Sequence, residues 1–364
     1  MKLSYFLFFS LISLTLFSCK EDEIPVPPTE VVLWDETPYD FRHGALPAPD
    51  LPADNVLTNT KVQLGRMLFY DVKLSKDNSQ ACADCHRQEH AFTDTTRFSL
   101  GVRNLPGHRQ AMSVFNMAWN DNEFFWDGRA HLLRDQAVLP IQDELEMDES
   151  LENVVAKLSA GKVYTDQFIR AFGDDAVTDD RIGLALEAFM LTIVSHNSKY
   201  DKFLAGTAEL TPSEERGLRL FETEYNPFFP ESSGADCQHC HGGANFENDL
   251  YMNNGLDTDD EMQDNGRSAA TGDVADRGKF KVTSLRNIAV TAPYMHDGRF
   301  QTLEEVIDHY NAGIQPSTTL DPALENTRAT GLLLTEEDKT DLVNFLKTLT
   351  DEDLLTREEF GSPF

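Results

Sequence analysis

The sequence predicts an all-α protein, or nearly so, built from two tandem domains of one kind. Three observations carry that expectation. Few runs alternate apolar and polar residues with a period of two, whereas apolar residues recur at helical spacing in several segments. The pattern Cys-x-x-Cys-His occurs twice, as Cys82-Ala83-Asp84-Cys85-His86 and as Cys237-Gln238-His239-Cys240-His241. The segments flanking the two copies follow in one order at a separation of roughly 150 residues, as in a duplicated unit.

The repeated motif specifies chemistry. Two thiols three positions apart, with a histidine directly after the second, form the attachment signature of a c-type haem. One turn of chain carries both sulfurs to the vinyl groups of the porphyrin. The histidine then lies beneath the ring with its imidazole toward the iron. A zinc knuckle or a dithiol redox pair also uses Cys-x-x-Cys. Zinc ribbons, however, keep their two pairs within about 15–20 residues of each other, and a dithiol site needs neither the histidine nor a second copy. Of five cysteines, four fall in the two motifs. The reading is therefore two covalently bound haem c groups, one held by Cys82, Cys85 and His86, the other by Cys237, Cys240 and His241.

Composition narrows the partners. The 364 residues suffice for two domains, and 40% hydrophobic content can fill their cores. A formal charge of −31 argues against nucleic acid, whose phosphates demand a basic surface. An acidic face can steer a basic partner such as a small cytochrome, and it equally serves solubility.

Residues 1–18 read as a lipoprotein signal peptide. Lys2 precedes an apolar run over Tyr5–Phe17 that is too short to span a bilayer. The run ends in Leu16-Phe17-Ser18-Cys19, which resembles a bacterial lipobox, with cleavage before Cys19 and a lipid on its thiol. Residues 19–50, opening with the charged, proline-rich Lys20–Pro28, then read as a tether. The expectation is an exported protein, periplasmic or anchored by its lipid to the outer membrane of a Gram-negative bacterium.

Residues 51–203 and 204–364 are the two expected domains. In the first, Leu64-Gly65-Arg66-Met67-Leu68-Phe69 leads through a polar loop to the first haem motif. In the second, Thr211-Pro212-Ser213-Glu214 combines an N-cap, a first-position proline and a capping-box acid, and runs into Gly217-Leu218-Arg219-Leu220-Phe221. Downstream, His108-Arg109-Gln110 and Trp126-Asp127-Gly128-Arg129 are matched by Leu285-Arg286-Asn287 and His296-Asp297-Gly298-Arg299. The apolar face of Arg181–His196 closes the first domain.

Taken together, the two haem motifs, Phe125-Trp126-Asp127-Gly128-Arg129 and Thr291-Ala292-Pro293-Tyr294-Met295-His296-Asp297-Gly298 resemble the bacterial dihaem cytochrome c peroxidases and the related MauG enzymes, over roughly residues 55–350. The resemblance implies two cytochrome-c-like domains, with peroxide reacting at the N-terminal haem and electrons arriving through the C-terminal one. It makes His86 the proximal ligand of the reactive haem. No histidine stands where some relatives carry a displaceable distal ligand, since His90 and His108 both miss that spacing. An open sixth position is expected there, with both histidines at the surface or packed behind the site. The resemblance further selects Glu146 as the acid/base that moves the peroxide proton, Gln136 as a distal-pocket amide and Trp126 as the bridge between haems. From composition alone Glu146 is one of several solvated acids and Trp126 a core residue. Calcium between the domains is implied through Thr291, Pro293 and Gln110, the last standing where the family has asparagine.

The residue fourteen after His296 is Tyr310, where the peroxidases carry a methionine ligand to the second iron. Thr302-Leu303-Glu304-Glu305 starts a helix there and Gly313 stops it. Leu303, Val306, Ile307 and Tyr310 share its buried stripe, and His309 is expected to point away. A phenolate favours oxidised iron where a thioether raises the potential, and tyrosine is the MauG-like pattern. The alternative is a core tyrosine that leaves His241 facing water or Met295. Three functions follow: a peroxidase taking electrons from a cytochrome or cupredoxin, a MauG-like oxidase of a protein side chain or small organic molecule, or a non-catalytic dihaem carrier. A homodimer is compatible with each.

Overall fold

The computed structural model describes residues 31–364 together with Met1. The expected leader, its Cys19 and the first part of the tether lie outside the described residues. Trp34–Asn55 is irregular, as its proline and aspartate content predicts. No helix among the described residues is long and apolar enough to cross a membrane.

Helices dominate. Asn59–Tyr70 forms α1, started by the Thr58 hydroxyl accepting from the Lys61 N–H. The first haem motif opens as a single turn, α2 (Cys82–Cys85). Then come α3 (Leu133–Gln142), α4 (Leu151–Ser159), α5 (Lys162–Phe172) and α6 (Asp179–Thr192). The second half carries α7 (Lys199–Leu204), α8 (Pro212–Glu222), α9 (Ser268–Thr271), α10 (Leu303–Asp308), α11 (Glu325–Thr330) and α12 (Glu336–Lys347). One minimal antiparallel pair joins β1 (Tyr251–Met252) to β2 (Phe280–Lys281), with Tyr251 opposite Lys281. The helix starts at Thr211 and Thr302 both form reciprocal capping boxes, with Glu214 and Glu305 respectively.

The two halves pack alike. In the first half α1 crosses α6 at Gly65, where a Cβ would come within 1.8 Å of the Ala185 carbonyl oxygen. In the second, α8 crosses α12 at Gly217, where a Cβ would meet the Asp341 carbonyl oxygen at 2.0 Å. Each crossing supports an aromatic triad. Phe69 lies 5.4 Å from Phe189 and 6.3 Å from Phe92, centroid to centroid. Phe221 lies 5.2 Å from Phe345 and 5.9 Å from Phe246. All six rings are buried, each contributing about 2 kcal/mol by transfer from water, with tilted and edge-on contacts adding about 1 kcal/mol per pair.

Two asparagines repeat as well. Asn116 and Asn287 both adopt left-handed backbone, and their side-chain oxygens accept from Ser195 N (2.7 Å) and Asp351 N (2.8 Å) respectively. Each thereby ties the loop after its haem motif to the end of the long helix behind it. The two cores are separate clusters, one drawn from residues 57–193 and the other from 221–349. The C-terminal stretch returns to the first: Leu354 and Phe360 are buried in it, and Arg66 donates to the carbonyl of Gly361 at 2.7 Å.

One local expectation needs correction. The α-helix at α10 stops at Asp308, and His309–Gly313 winds as a π-turn. The wider winding advances each residue by less than an α-helical 100°, so two consecutive side chains turn inward. His309 does not point away. It is buried, and its Nε2 lies 3.0 Å from the carbonyl oxygen of Asn254, while Tyr310 packs against the second core.

Candidate active site

The two haem motifs are held alike. His86 Nδ1 lies 3.0 Å from the carbonyl oxygen of Phe92, and His241 Nδ1 lies 3.1 Å from that of Phe246. A carbonyl can only accept, so each ring carries its proton on Nδ1 and keeps the Nε2 lone pair free for a metal. Burial holds both imidazoles neutral, depressing His86 and pushing His241 down to about 4. Phe92 and Phe246 supply these carbonyls from left-handed backbone, at φ 59° and 56°. The four thiols are unpaired, and burial raises them to about 12 for Cys82 and Cys237 and about 11 for Cys85 and Cys240. Such thiols are not the activated nucleophiles of a dithiol redox site. Paired neutral thiols beside a histidine presenting Nε2 are the donor set that covalent haem requires.

A cavity of about 1050 Å³ opens on the first of these sites. Its wall brings together Cys85 and His86 with Trp126, Gln136 and Glu146, and across the junction Thr291 and Pro293. Cys237, His241 and Tyr310 are not on that wall. Gln136 is presented by α3, and Glu146 by the turn that follows it. That turn is fixed by Val102 N–H donating to the Glu146 carbonyl at 2.8 Å and by Gly101, whose Cβ would strike the Leu145 carbonyl at 2.1 Å. The Glu146 carboxyl is pushed up to about 7, chiefly by burial and further by Asp143, with Arg129 pulling the other way. A carboxyl so placed exchanges its proton near neutrality.

Trp126 sits on a tight turn, between Phe125 at φ 70° and Gly128 at φ 72°. Its indole N–H donates to the Gln110 carbonyl at 2.8 Å, and its own carbonyl accepts from Lys281 N at 2.8 Å. Gln110 is buried: its side-chain amide donates to Thr93 Oγ1 (2.8 Å) and its N–H to the His296 carbonyl (2.8 Å). His108 is exposed at the cavity rim, and His90 is half-buried away from it.

The turn holding Trp126 repeats around His296. Gly128 and Gly298 donate to the carbonyls of Phe125 and Met295, and a bridge pairs Phe124 with Ala130 as another pairs Tyr294 with Phe300. Counting forward in register, Met295 matches Phe125 and Tyr310 matches Pro140. In the second half these positions carry a thioether and a phenol; in the first they carry nothing that can bind iron. Both Phe125 and Pro140 line the cavity.

Sequence reasoning missed Asn254, whose side-chain nitrogen lies 3.2 Å from Tyr310 Oη and 3.3 Å from Met295 Sδ. The Asn-Gly turn signal at 254–255 was available, but nothing local ties it to Tyr310. It also missed Arg109, which binds Asp127 and Asp264, each at 2.7 Å.

The di-haem cytochrome c peroxidase family profile matches residues 59–209. Over 311 residues the chain is 32% identical to the methylamine utilization protein MauG of Methylophilus methylotrophus, spanning 85% of this chain and 87% of that one. Over 252 residues it is 38% identical to the cytochrome c551 peroxidase of Nitrosomonas europaea, spanning 68% and 71%. Its structure matches that of a MauG-like protein associated with microbial copper homeostasis, with TM-score 0.79, 34% identity and coverage of 91% and 99%. The repeated Cys-x-x-Cys-His motifs in a helix-rich frame and these relationships agree: the chain belongs to the dihaem cytochrome c peroxidase family and is a peroxidase-type oxidoreductase.

Proposed function

We propose that the chain reduces hydrogen peroxide to water at the His86 site, with electrons entering through the His241 site from a reduced cytochrome or cupredoxin. The observation that carries this reading is the placement of Glu146 and Gln136 on the cavity wall that also holds His86. Each of the two cytochrome-c-like domains, 51–203 and 204–364, would hold one haem c: the first through Cys82, Cys85 and His86, the second through Cys237, Cys240 and His241. Haem held there would supply the redox chemistry, passing on the two electrons from the donor that cleavage of the peroxide bond requires.

The rest is done by side chains. Glu146 accepts a proton from the near oxygen of peroxide and returns it to the departing one, so that two protons and two electrons per peroxide yield two waters. Gln136 fixes the orientation of the substrate oxygens. Phe125 and Pro140, the counterparts of Met295 and Tyr310, line the cavity with side chains that would offer iron no ligand and so would leave room for peroxide. Trp126 carries electrons between the sites. Gln110, Thr291 and Pro293 would hold a calcium ion through oxygen atoms at the junction between the halves. Export, lipid attachment at Cys19 and dimerisation complete the proposal.

Peroxide turnover with a reduced cytochrome c and with a small dye, in wild type and Glu146→Gln, tests it. A loss of at least a hundredfold with both donors is expected; equal rates remove Glu146 from the mechanism.

Tyr310 favours a second reading, a MauG-like oxidase. If Tyr310 binds the second iron, the oxidised form is stabilised and peroxide-derived oxidising equivalents can be held for an organic substrate. Adding peroxide without reductant separates the two. Persistence of the oxidised spectrum supports the oxidase, and prompt return supports the peroxidase.

A further inference from the structure

We propose that Asn254 is a positioning residue that selects the axial ligand of the His241 site, presenting the Tyr310 oxygen to the iron and holding the Met295 sulfur aside. This rests on the reading of Tyr310 as a ligand. The two candidate ligands of that site converge on one nitrogen: Asn254 Nδ2 is 3.2 Å from Tyr310 Oη and 3.3 Å from Met295 Sδ. A primary amide has two hydrogens, so it can donate to both at once.

The two bonds are unequal in effect. A donor aimed at a phenol oxygen strengthens as that oxygen gains negative charge, which is what binding iron requires of it. Asn254 Nδ2, 3.2 Å from Tyr310 Oη, is placed to make that bond. The thioether is a weak acceptor and gains nothing comparable. It is, however, tethered by the contact. Met295 adopts left-handed backbone at φ 74°, on a turn closed by Gly298 N–H donating to its carbonyl, so its side chain has a fixed origin.

Asn254 is itself immobilised. Its carbonyl accepts from His309 Nε2 at 3.0 Å, which couples it to the π-turn that carries Tyr310. On one side, buried Asn253 bonds Ser317 (3.1 Å) and Thr319 (2.9 Å) and accepts from Asp321 N (3.0 Å). On the other, Gly255 takes φ +70° and its carbonyl accepts from Gln315 N at 2.8 Å. A donor held on both sides can choose between two acceptors, whereas a mobile one would follow whichever moved. The π-turn fits this role. By winding wide, it brings His309 to the Asn254 carbonyl and Tyr310 to the Asn254 amide in consecutive residues. The first half, with Phe125 and Pro140 at the ligand positions, has no such choice to make.

The test uses the mature dihaem protein and reads ligation directly, by EPR and by the midpoint potential of the His241 haem. Wild type, Asn254→Val, Tyr310→Phe and the double variant Asn254→Val/Met295→Leu are compared. Loss of both donors is expected to change the low-spin signal of that haem. It should also raise its midpoint potential by about 59 mV or more, a tenfold shift toward the reduced form. Most of that rise should vanish in the double variant, because the sulfur that replaces oxygen is gone. Should Asn254→Val not mature, Asn254→Ser, with one hydroxyl donor on a shorter arm, is read in the same way. If Tyr310→Phe alters signal and potential while the Asn254 variants leave both unchanged, the inference is overturned and the ligand reading stands. If Tyr310→Phe changes neither, the ligand reading itself fails.

Discussion

Trp126 donates its indole N–H to the carbonyl oxygen of Gln110 at 2.8 Å, and the Gln110 N–H in turn donates to the carbonyl of His296 at 2.8 Å. The indole is thus oriented by a short chain of bonds that crosses from the first half to the second. Trp126→Phe keeps an aromatic of similar shape but removes the donor and the larger π-system. Reduction of the His86 haem through the His241 haem, followed by rapid mixing with a donor, is expected to slow at least tenfold. Both haem spectra at rest should be unchanged. An unaltered rate would place Trp126 off the route.

The pH profile should report Glu146. Its carboxyl titrates at about 7 instead of 4.5, because burial and Asp143 disfavour the charged form. In the proposed role Glu146 accepts a proton first, so kcat/KM for peroxide is expected to rise with pH along a limb centred near 7. In Glu146→Gln that limb should disappear. The stability effect has the opposite direction. The folded state keeps the proton to higher pH than the unfolded chain, so this group's contribution is whole below 4.5 and declines as pH climbs toward 7. Denaturant midpoints of wild type and Glu146→Gln should therefore diverge over that interval, with wild type losing ground as pH rises.

How much of this was legible beforehand depends on how local each cause is. The paired Cys-x-x-Cys-His motifs were legible because the signature fixes three residue types within five positions. The Thr211 and Thr302 starts were legible because a capping box closes within four. Glu146 was not legible from composition: the turn that presents it is held at its backbone by Gly101 and Val102, which lie over forty residues upstream. Only the family resemblance singled it out. The inward turn of His309 escaped because a π-turn has no simple periodic signature, and its stabilising partner, Asn254, comes from another segment. The partnerships of Gly65 with Ala185 and Gly217 with Asp341 were hidden too, although both glycines stood in the matched segments.

Arg109 should prove structurally indispensable. It is 17% exposed, and it meets Asp127 at 2.7 Å and Asp264 through paired bonds of 2.7 and 2.9 Å. Asp127 directly follows Trp126, so this guanidinium fastens the Trp126 turn to the second half. Arg109→Ala leaves Asp264 without a counter-charge and Asp127 with Arg129 alone, 3.0 Å away, and is expected to cost about 3 kcal/mol, read as a shift in denaturant midpoint. Arg109→Lys keeps the charge but not the fork, and should recover only part of the loss. A change below about 1 kcal/mol in Arg109→Ala would show that the clamp is dispensable.

The two helix crossings make a paired prediction in which opposing effects have known sizes. Replacing a helical glycine by alanine ordinarily gains about 1 kcal/mol through backbone entropy. At Gly65 the added methyl would lie 1.8 Å from the Ala185 carbonyl oxygen and 2.8 Å from Phe189 Cβ. At Gly217 it would lie 2.0 Å from the Asp341 carbonyl oxygen and 2.8 Å from Phe345 Cβ. These obstacles are backbone and Cβ atoms, which no rotamer change can clear, so the helices must part. Overpacking of this kind costs about 1–3 kcal/mol or more and outweighs the propensity gain. Both Gly65→Ala and Gly217→Ala are therefore expected to lower the thermal midpoint by several degrees. Gly107→Ala, whose Cβ has its nearest neighbour at 3.8 Å, should leave it unmoved. Because each crossing supports the phenylalanine triad beside one haem motif, the disturbance should also be local. Gly65→Ala should broaden the spectrum of the His86 haem, and Gly217→Ala that of the His241 haem. A stabilised Gly65→Ala or Gly217→Ala protein would mean that the helices are not in contact where the glycines place them.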